Sequence, residues 1–254
     1  MKYVRVEHAG EVRWGVLNGE SVFTLEKAPF EGICYDGGKL PLGDCRLLAP
    51  CTPTKIVLVG KNYYDHAIEM NDGVPEYPIL FMKGPNALND PEGAIHAPDF
   101  VNRLDYEGEL AVVIGKRAKN LMPENAGEYI LGFTCLNDVT ARDIQKEDGQ
   151  WTRAKGMDGF APIGPWITDE VDGTDLKLET RLNGKTVQSS RTSMLMTKIP
   201  ALLAFITASM TLEPGDVVST GTPAGVGPMQ PGDVVEVEIE SVGILRNHVV
   251  GTRS

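Results

Sequence analysis

The chain has 254 residues, 42% of them hydrophobic, enough to bury a substantial core and to exclude a disordered chain. Its formal charge of −11 would repel phosphate backbones and anionic bilayers, so nucleic-acid and membrane partners are not expected and a small anionic substrate must find a local positive site. The N-terminus carries no apolar signal region, no stretch approaches the roughly 20 apolar residues that span a bilayer, and four cysteines without a C-x-x-C pair read as reduced, mostly buried thiols of a cytoplasmic protein.

Val4 and Val6, then Val12, Trp14 and Val16, alternate with polar residues as strands do, and Asn18-Gly19 predicts a two-residue hairpin turn before Val22 and Phe23. Residues 30–50 are rich in Gly, Pro and Asp and read as a connector. A small N-terminal β domain over 1–49 and a main domain over 50–254 follow. Residues 55–59 predict a strand ended by Gly60, and residues 62–70 a short helix before the breaker Asn71-Asp72-Gly73. Residues 79–82, 110–114 and 130–136 predict short apolar strands. Ile199, Leu202, Leu203, Ile206 and Met210 recur at helical spacing, and beyond them Pro214-Gly215-Asp216 and Pro231-Gly232-Asp233 each launch a strand. The predicted class is mainly β with few helices (α+β).

Within that frame the acidic residues stand out. A strand period of two puts Glu107 and Glu109 on the face of Ala111 and Val113, with Leu110, Val112 and Ile114 on the other. Two apolar faces mean an interior strand, where neighbouring carboxylates are costly unless a cation neutralises them. Asp138 ends the apolar run from residue 130. Three carboxylates without a Cys or His set suit Mg²⁺, Mn²⁺ or Ca²⁺ rather than zinc. Taken alone, Glu-x-Glu is more often a solvated strand face, and only the apolar continuation and Asp138 shift that balance.

His66 and Glu69 share a helix face three residues apart, as an acid/base dyad would and as surface hydrogen-bonded pairs also do. Lys155 lies in a Gly- and Pro-shaped stretch that reads as a loop presenting a cation or as a solvated loop. Arg142 and Gln145 can hold an anion or face water. The glycine-rich run from Gly221 to Gly227 lacks a Gly-Lys-Ser/Thr ending and leads into Pro228 rather than a helix, which rules out a nucleotide loop, while its amides and the Thr222 hydroxyl can still cradle a carboxylate.

Taken in order, the segments Gly60-Lys61-Asn62-Tyr63-Tyr64-Asp65-His66-Ala67-Ile68-Glu69, Asp105-Tyr106-Glu107-Gly108-Glu109-Leu110, Asn137-Asp138-Val139-Thr140-Ala141-Arg142-Asp143-Ile144-Gln145, Lys155-Gly156-Met157-Asp158-Gly159 and Gly221-Thr222-Pro223-Ala224-Gly225-Val226-Gly227 resemble the fumarylacetoacetate hydrolase family. The resemblance runs from about Pro50 to the C-terminus, and the first fifty residues are like the N-terminal domain of isomerase-type bacterial members. It implies a mixed β-sheet roll, a homodimer, and Mg²⁺ or Mn²⁺ on Glu107, Glu109 and Asp138. It further implies that Lys155 stands beside metal and substrate, that His66 and Glu69 form the acid/base pair on a mobile lid, and that Tyr63, Arg142, Gln145 and Thr222 contact substrate.

The expected chemistry is metal-assisted stabilisation of an enolate of a small 2-oxo or enol carboxylate. Isomerisation of an unsaturated 2-hydroxy dicarboxylate such as 2-hydroxyhepta-2,4-diene-1,7-dioate, from aromatic catabolism, is favoured over acylpyruvate-type or fumarylacetoacetate-type C–C hydrolysis and oxaloacetate decarboxylation. A non-catalytic, metal-stabilised β domain that binds a small acid is the alternative of another class.

Overall fold

The computed structural model describes residues 1–70 and 73–252, so Asn71 and Asp72 of the expected helix breaker lie outside the described residues. In chain order β1 (Lys2–His8) and β2 (Glu11–Asn18) are joined by Ala9-Gly10, with φ of 50° and 81°. Positive φ at both positions matches the twist of a tight hairpin. Asn18 pairs with Ser21 at the start of β3 (Ser21–Leu25), so the next loop is Gly19-Glu20, one residue later than predicted. The expected connector also holds two strands, β4 (Tyr35–Pro41) and β5 (Arg46–Leu48). β4 is an edge strand on β3 with nearly all its side chains exposed. An edge tolerates the glycines and proline that argued against a strand there.

Next come β6 (Ile56–Gly60), α1 (Tyr64–Glu69), β7 (Ile79–Lys83), β8 (Leu88–Asn89), β9 (Ala94–His96), β10 (Leu104–Tyr106), β11 (Gly108–Ile114), β12 (Ile130–Asn137), β13 (Thr140–Ala141), α2 (Arg142–Asp148), α3 (Thr152–Lys155) and β14 (Ala161–Thr168). They are followed by β15 (Lys177–Leu182), β16 (Lys185–Arg191), α4 (Ile199–Ser209), β17 (Val217–Ser219), β18 (Gly227–Met229), β19 (Val234–Ile239) and β20 (Gly243–Val250). The strands expected at residues 55–59, 79–82, 110–114 and 130–136, the two helices, and the strands launched after Asp216 and Asp233 are all present. The β15–β16 hairpin was not anticipated.

One twelve-stranded sheet runs in the order β4-β3-β2-β1-β14-β12-β11-β17-β6-β7, with β5 on β1 and β8 on β14, so the N-terminal meander is hydrogen-bonded into it through β1. A five-stranded sheet, β16-β15-β19-β20-β9, and a three-stranded one, β13-β10-β18, complete the structure. The faces of β11 separate as the period of two requires. Leu110, Val112 and Ile114 pack with Leu178, Val237 and Leu245 of the five-stranded sheet and with Leu202, Leu203 and Ile206 of α4. Ala111 and Val113 pack with Ile56 and Leu58 of β6 and with Tyr3, Val16 and Leu25 of β1–β3, so the large sheet curls on itself into a roll. Full burial contributes about 1.5–3 kcal/mol for each such Val, Leu or Ile side chain, which pins the β11 register and with it the carboxylates at its N-terminal end.

Cys51 and Cys135 are buried, whereas Cys34 is exposed and Cys45 half-buried, so only two of the four thiols sit inside as expected; none of the four is in a disulfide. Among the described residues no helix is long and apolar enough to cross a membrane.

Candidate active site

β11 and β12 are antiparallel, with Gly108 opposite Asn137 and Glu109 opposite Leu136. The start of one strand therefore meets the end of the other, and residues far apart in sequence converge: Asp138 N donates to Glu107 O at 2.9 Å, and Glu107 N donates to Asn137 Oδ1 at 2.9 Å. Glu107, Glu109 and Asp138 each present a carboxylate oxygen within 4.8 Å of the others, all buried. They line a cavity of about 260 Å³ together with His66, Arg142, Gln145, Lys155 and Thr222.

Lys155 is the last residue of α3 rather than part of an open loop, and it is buried. Its Nζ donates to Glu107 Oε2 at 3.0 Å, to Thr140 Oγ1 at 2.9 Å and to Asp138 Oδ2. Burial alone would lower its pKa, but Asp138 and Glu107 outweigh burial and hold the ammonium charged. Phe81, 4.8 Å away at its ring centre, and Trp151, edge-to-face against Phe81, close the dry side of the ammonium. Trp151 fits because Gly60 lacks a side chain: a Cβ there would lie 2.7 Å from the indole ring.

Arg142 enters from the first turn of α2 and commits all three of its nitrogens. Nε donates to Asp105 Oδ2 at 2.9 Å, Nη1 to Gln145 Oε1 at 2.6 Å, and Nη2 to Glu107 Oε1. Burial raises the Glu107 carboxyl, yet Lys155 and Arg142 prevail and hold it well below the usual carboxylate range. Glu109 is treated differently. Its Oε2 receives only neutral donors, Gly221 N at 2.9 Å and Ser219 Oγ, so burial, reinforced by Asp138, pushes its pKa up to about 8.

Lys83, which the sequence reading passed over, ends β7 inside the protein. Its Nζ lies 2.7 Å from Asp138 Oδ1 but directs hydrogen bonds at the carbonyls of Val139, 2.9 Å away, and Phe160, leaving Asp138 Oδ1 buried without a directed donor. Burial lowers the Lys83 pKa to about 8. The signal available was a lysine closing an apolar strand immediately before Gly84-Pro85. Gln188, fully buried on β16, was also missed: it accepts from Gly108 N at 3.0 Å and donates to Thr222 Oγ1 and Pro223 O at 2.8 Å each. The Thr222 hydroxyl in turn donates to Gly108 O at 2.9 Å, closing a ring around the peptide between Glu107 and Glu109.

His66 is buried on α1, its Nδ1 3.0 Å from Glu69 Oε2, and Glu69 Oε1 accepts from Gly225 N at 3.0 Å. The amides of the 221–227 loop thus do cradle carboxylates, but those of Glu109 and Glu69. Tyr63 stands apart from the other expected site residues. It is buried in the main core, does not line the central cavity, and its hydroxyl has no hydrogen-bond partner among the described residues.

The donor set fits a divalent cation. Among the described residues one of the three clustered carboxylates, Glu109, forms no ion pair and another, Asp138, carries a buried oxygen without a directed donor, while every donor is a hard carboxylate of the kind Mg²⁺ and Mn²⁺ prefer.

A family description reading Fumarylacetoacetate (FAA) hydrolase C-terminal matches residues 55–250, and one reading Rv2993c-like, N-terminal matches residues 1–50. The chain is similar to 2-hydroxyhepta-2,4-diene-1,7-dioate isomerase from Mycobacterium marinum, 42% identical with a TM-score of 0.93 over 100% of both chains. It is also similar to maleylpyruvate hydrolase from Sphingobium sp. SYK-6, solved with manganese (II) ion and pyruvate, 29% identical with a TM-score of 0.82 over 100% of both chains. Mitochondrial oxaloacetate tautomerase fahd2 from Xenopus laevis is 43% identical over 245 residues, covering 91% of this chain and 76% of that protein.

Proposed function

The chain belongs to the fumarylacetoacetate hydrolase family and is an enzyme, and from that premise we propose that it relocates a proton on a small 2-oxo or 2-hydroxy dicarboxylate, with Glu107, Glu109 and Asp138 holding Mg²⁺ or Mn²⁺. The observation that carries this reading is the buried carboxylate triad sharing one cavity with a charged lysine and a His–Glu dyad.

The cation, when bound, supplies Lewis-acid polarisation of the substrate's carboxylate and adjacent oxygen. Lys155, held charged and fixed by three acceptors, adds positive potential where enolate charge develops. Phe81 and Trp151 exclude water around that ammonium, which strengthens its field. Glu69 engages His66 Nδ1 and so favours the tautomer whose Nε2 is the proton-exchanging atom. In a 2-hydroxy-2,4-diene, loss of the 2-hydroxyl proton and delivery of a proton by His66 to carbon 5, the far end of the dienolate, then replaces the double bonds at carbons 2 and 4 with the 2-oxo group and one double bond at carbon 3. Gln145, whose carbonyl is taken by Arg142, keeps its amide donors for a substrate oxygen.

An unsaturated 2-hydroxy dicarboxylate such as 2-hydroxyhepta-2,4-diene-1,7-dioate is the favoured substrate, supported by the name of the M. marinum protein. Keto–enol interconversion of oxaloacetate is the second reading, favoured by the name of the X. laevis relative, and it needs the same proton relocation. Proton NMR in D₂O with Mg²⁺ or Mn²⁺ tests both: double-bond migration in the first substrate, or accelerated deuterium entry at carbon 3 of the second, is expected. No turnover of either with either metal would remove the reading.

A further inference from the structure

The sequence demands a local positive site in a chain of charge −11, yet the two deepest cations of the cavity are already committed. Lys155 gives its three hydrogens to Glu107, Asp138 and Thr140, and Arg142 spends its nitrogens on Asp105, Gln145 and Glu107. Lys155 keeps no free N–H, and the Arg142 guanidinium, although two of its five N–H groups are uncommitted, already has Asp105 and Glu107 as counter-charges.

Lys146 is different. It follows Arg142 by four residues on α2, so Arg142, Gln145 and Lys146 share one helix face, with Lys146 about one turn, roughly 5–6 Å, further out. It lines the central cavity and also an adjoining one of about 260 Å³ bounded by Glu69, Met70, Arg103, Arg142 and Val226, so it stands where the two meet. Among the described residues Lys146 forms no ion pair and no hydrogen bond through its side chain; Glu69, which lines the adjoining cavity with it, is engaged by His66 and Gly225, and Asp143, three residues before it on α2, by Asn102. Lys61 lines the same mouth at φ 56°, a left-handed backbone that is uncommon for a lysine and tends to mark functional positions.

We infer that Lys146 is a specificity-determining residue that receives the distal carboxylate of the substrate, so that the enzyme selects dicarboxylates over monocarboxylates of the same length. The inference rests on the proposed enolate-forming site, because that site fixes which end of the substrate lies at the triad. With the proximal carboxylate on the cation that Glu107, Glu109 and Asp138 would hold, a chain of a few carbons would pass Gln145 and end at the outer turn of α2. The charge at that end is then met by an ammonium that pairs with no carboxylate among the described residues. A partly exposed pair of this kind is worth up to about fivefold in affinity and weakens with salt.

The test is calorimetric binding to the Mn²⁺-loaded full chain of 2-oxoglutarate and 2-oxopentanoate, which share a carbon count and differ in the distal carboxylate, with oxalate as a ligand too short to reach Lys146. The expected result is a preference for 2-oxoglutarate of about fivefold in the unaltered protein, retained in Lys146→Arg and abolished in Lys146→Gln, with oxalate affinity the same in all three. Lys146 is exposed, so Lys146→Gln tests recognition without disturbing the fold. No preference in the unaltered protein, or a preference that survives Lys146→Gln, overturns the inference while leaving the enolate site standing. Failure of oxalate itself to bind overturns both.

Discussion

Replacing Glu109 with Gln separates a metal centre from an ordinary salt-bridged interior. Glu109 is the triad member with only neutral donors, Ser219 Oγ and Gly221 N, both onto Oε2, and a glutamine carbonyl can accept from both. Without metal the substitution therefore costs little, about 1 kcal/mol or less. The pH dependence has a definite sign. A carboxyl ordinarily near 4.5 and raised to about 8 stays protonated in the folded chain while the unfolded chain releases the proton, so its stabilising contribution is complete below about 4.5 and is lost as pH rises towards 8. At about 1.4 kcal/mol for each pH unit of that window, the ceiling is roughly 5 kcal/mol. Metal-free Glu109→Gln lacks this loss and should melt at or above the unaltered protein at pH 8. Metal reverses the order: a hundredfold excess over Kd adds about 2.7 kcal/mol, or roughly 5–11 °C for a chain of this size, to the unaltered protein alone. Scanning calorimetry at pH 5 and pH 8, with Mn²⁺ or with chelator, reads both effects. A variant that kept the full Mn²⁺-induced rise, or lost more than about 10 °C without metal, would refute the reasoning.

Other substitutions probe the remaining groups. Lys155→Met should lower kcat by about 10²–10³ in the NMR assay while a Mn²⁺-dependent rise in melting temperature persists; an unchanged kcat would exclude Lys155 from the chemistry. His66→Gln should lower kcat by about 10²–10⁴ without weakening oxalate binding by calorimetry, and a loss of oxalate affinity equal to the loss of rate would make His66 a binding group instead. Gln188→Leu leaves Gly108 N and Pro223 O buried without partners, and urea unfolding should show a loss of about 2–4 kcal/mol; a change under 0.5 kcal/mol or so would mean the ring around Gly108 is dispensable.

The acidic centre was legible because β11 obeys the period of two on both faces: only a buried strand carries Leu110, Val112 and Ile114 opposite Ala111 and Val113, and its first turns had to bring Glu107 and Glu109 inside. What the sequence could not show is that Arg142 turns inward onto Asp105 and Glu107, since a helix-start arginine reads the same whether it meets substrate or protein. Lys83 and Gln188 were hidden for a related reason: each is a single polar residue whose partners come from segments far away in the chain. The missed β15–β16 hairpin was visible in principle. Asn183-Gly184 lies between alternating runs containing Leu178, Thr180 and Leu182, and both turn residues take positive φ, 52° and 77°. β4 was obscured because an exposed edge strand needs no apolar alternation.

The central assertion is that Glu107, Glu109 and Asp138 bind one hard cation at which the substrate's oxygens gather. Anomalous diffraction from crystals soaked with Mn²⁺ and oxalate tests it most directly. The account predicts a single strong peak within about 2.0–2.6 Å of an oxygen from each of the three side chains, with oxalate chelating the same ion beside Lys155. A peak elsewhere, or oxalate bound at Lys155 with no ion among the three carboxylates, would contradict it.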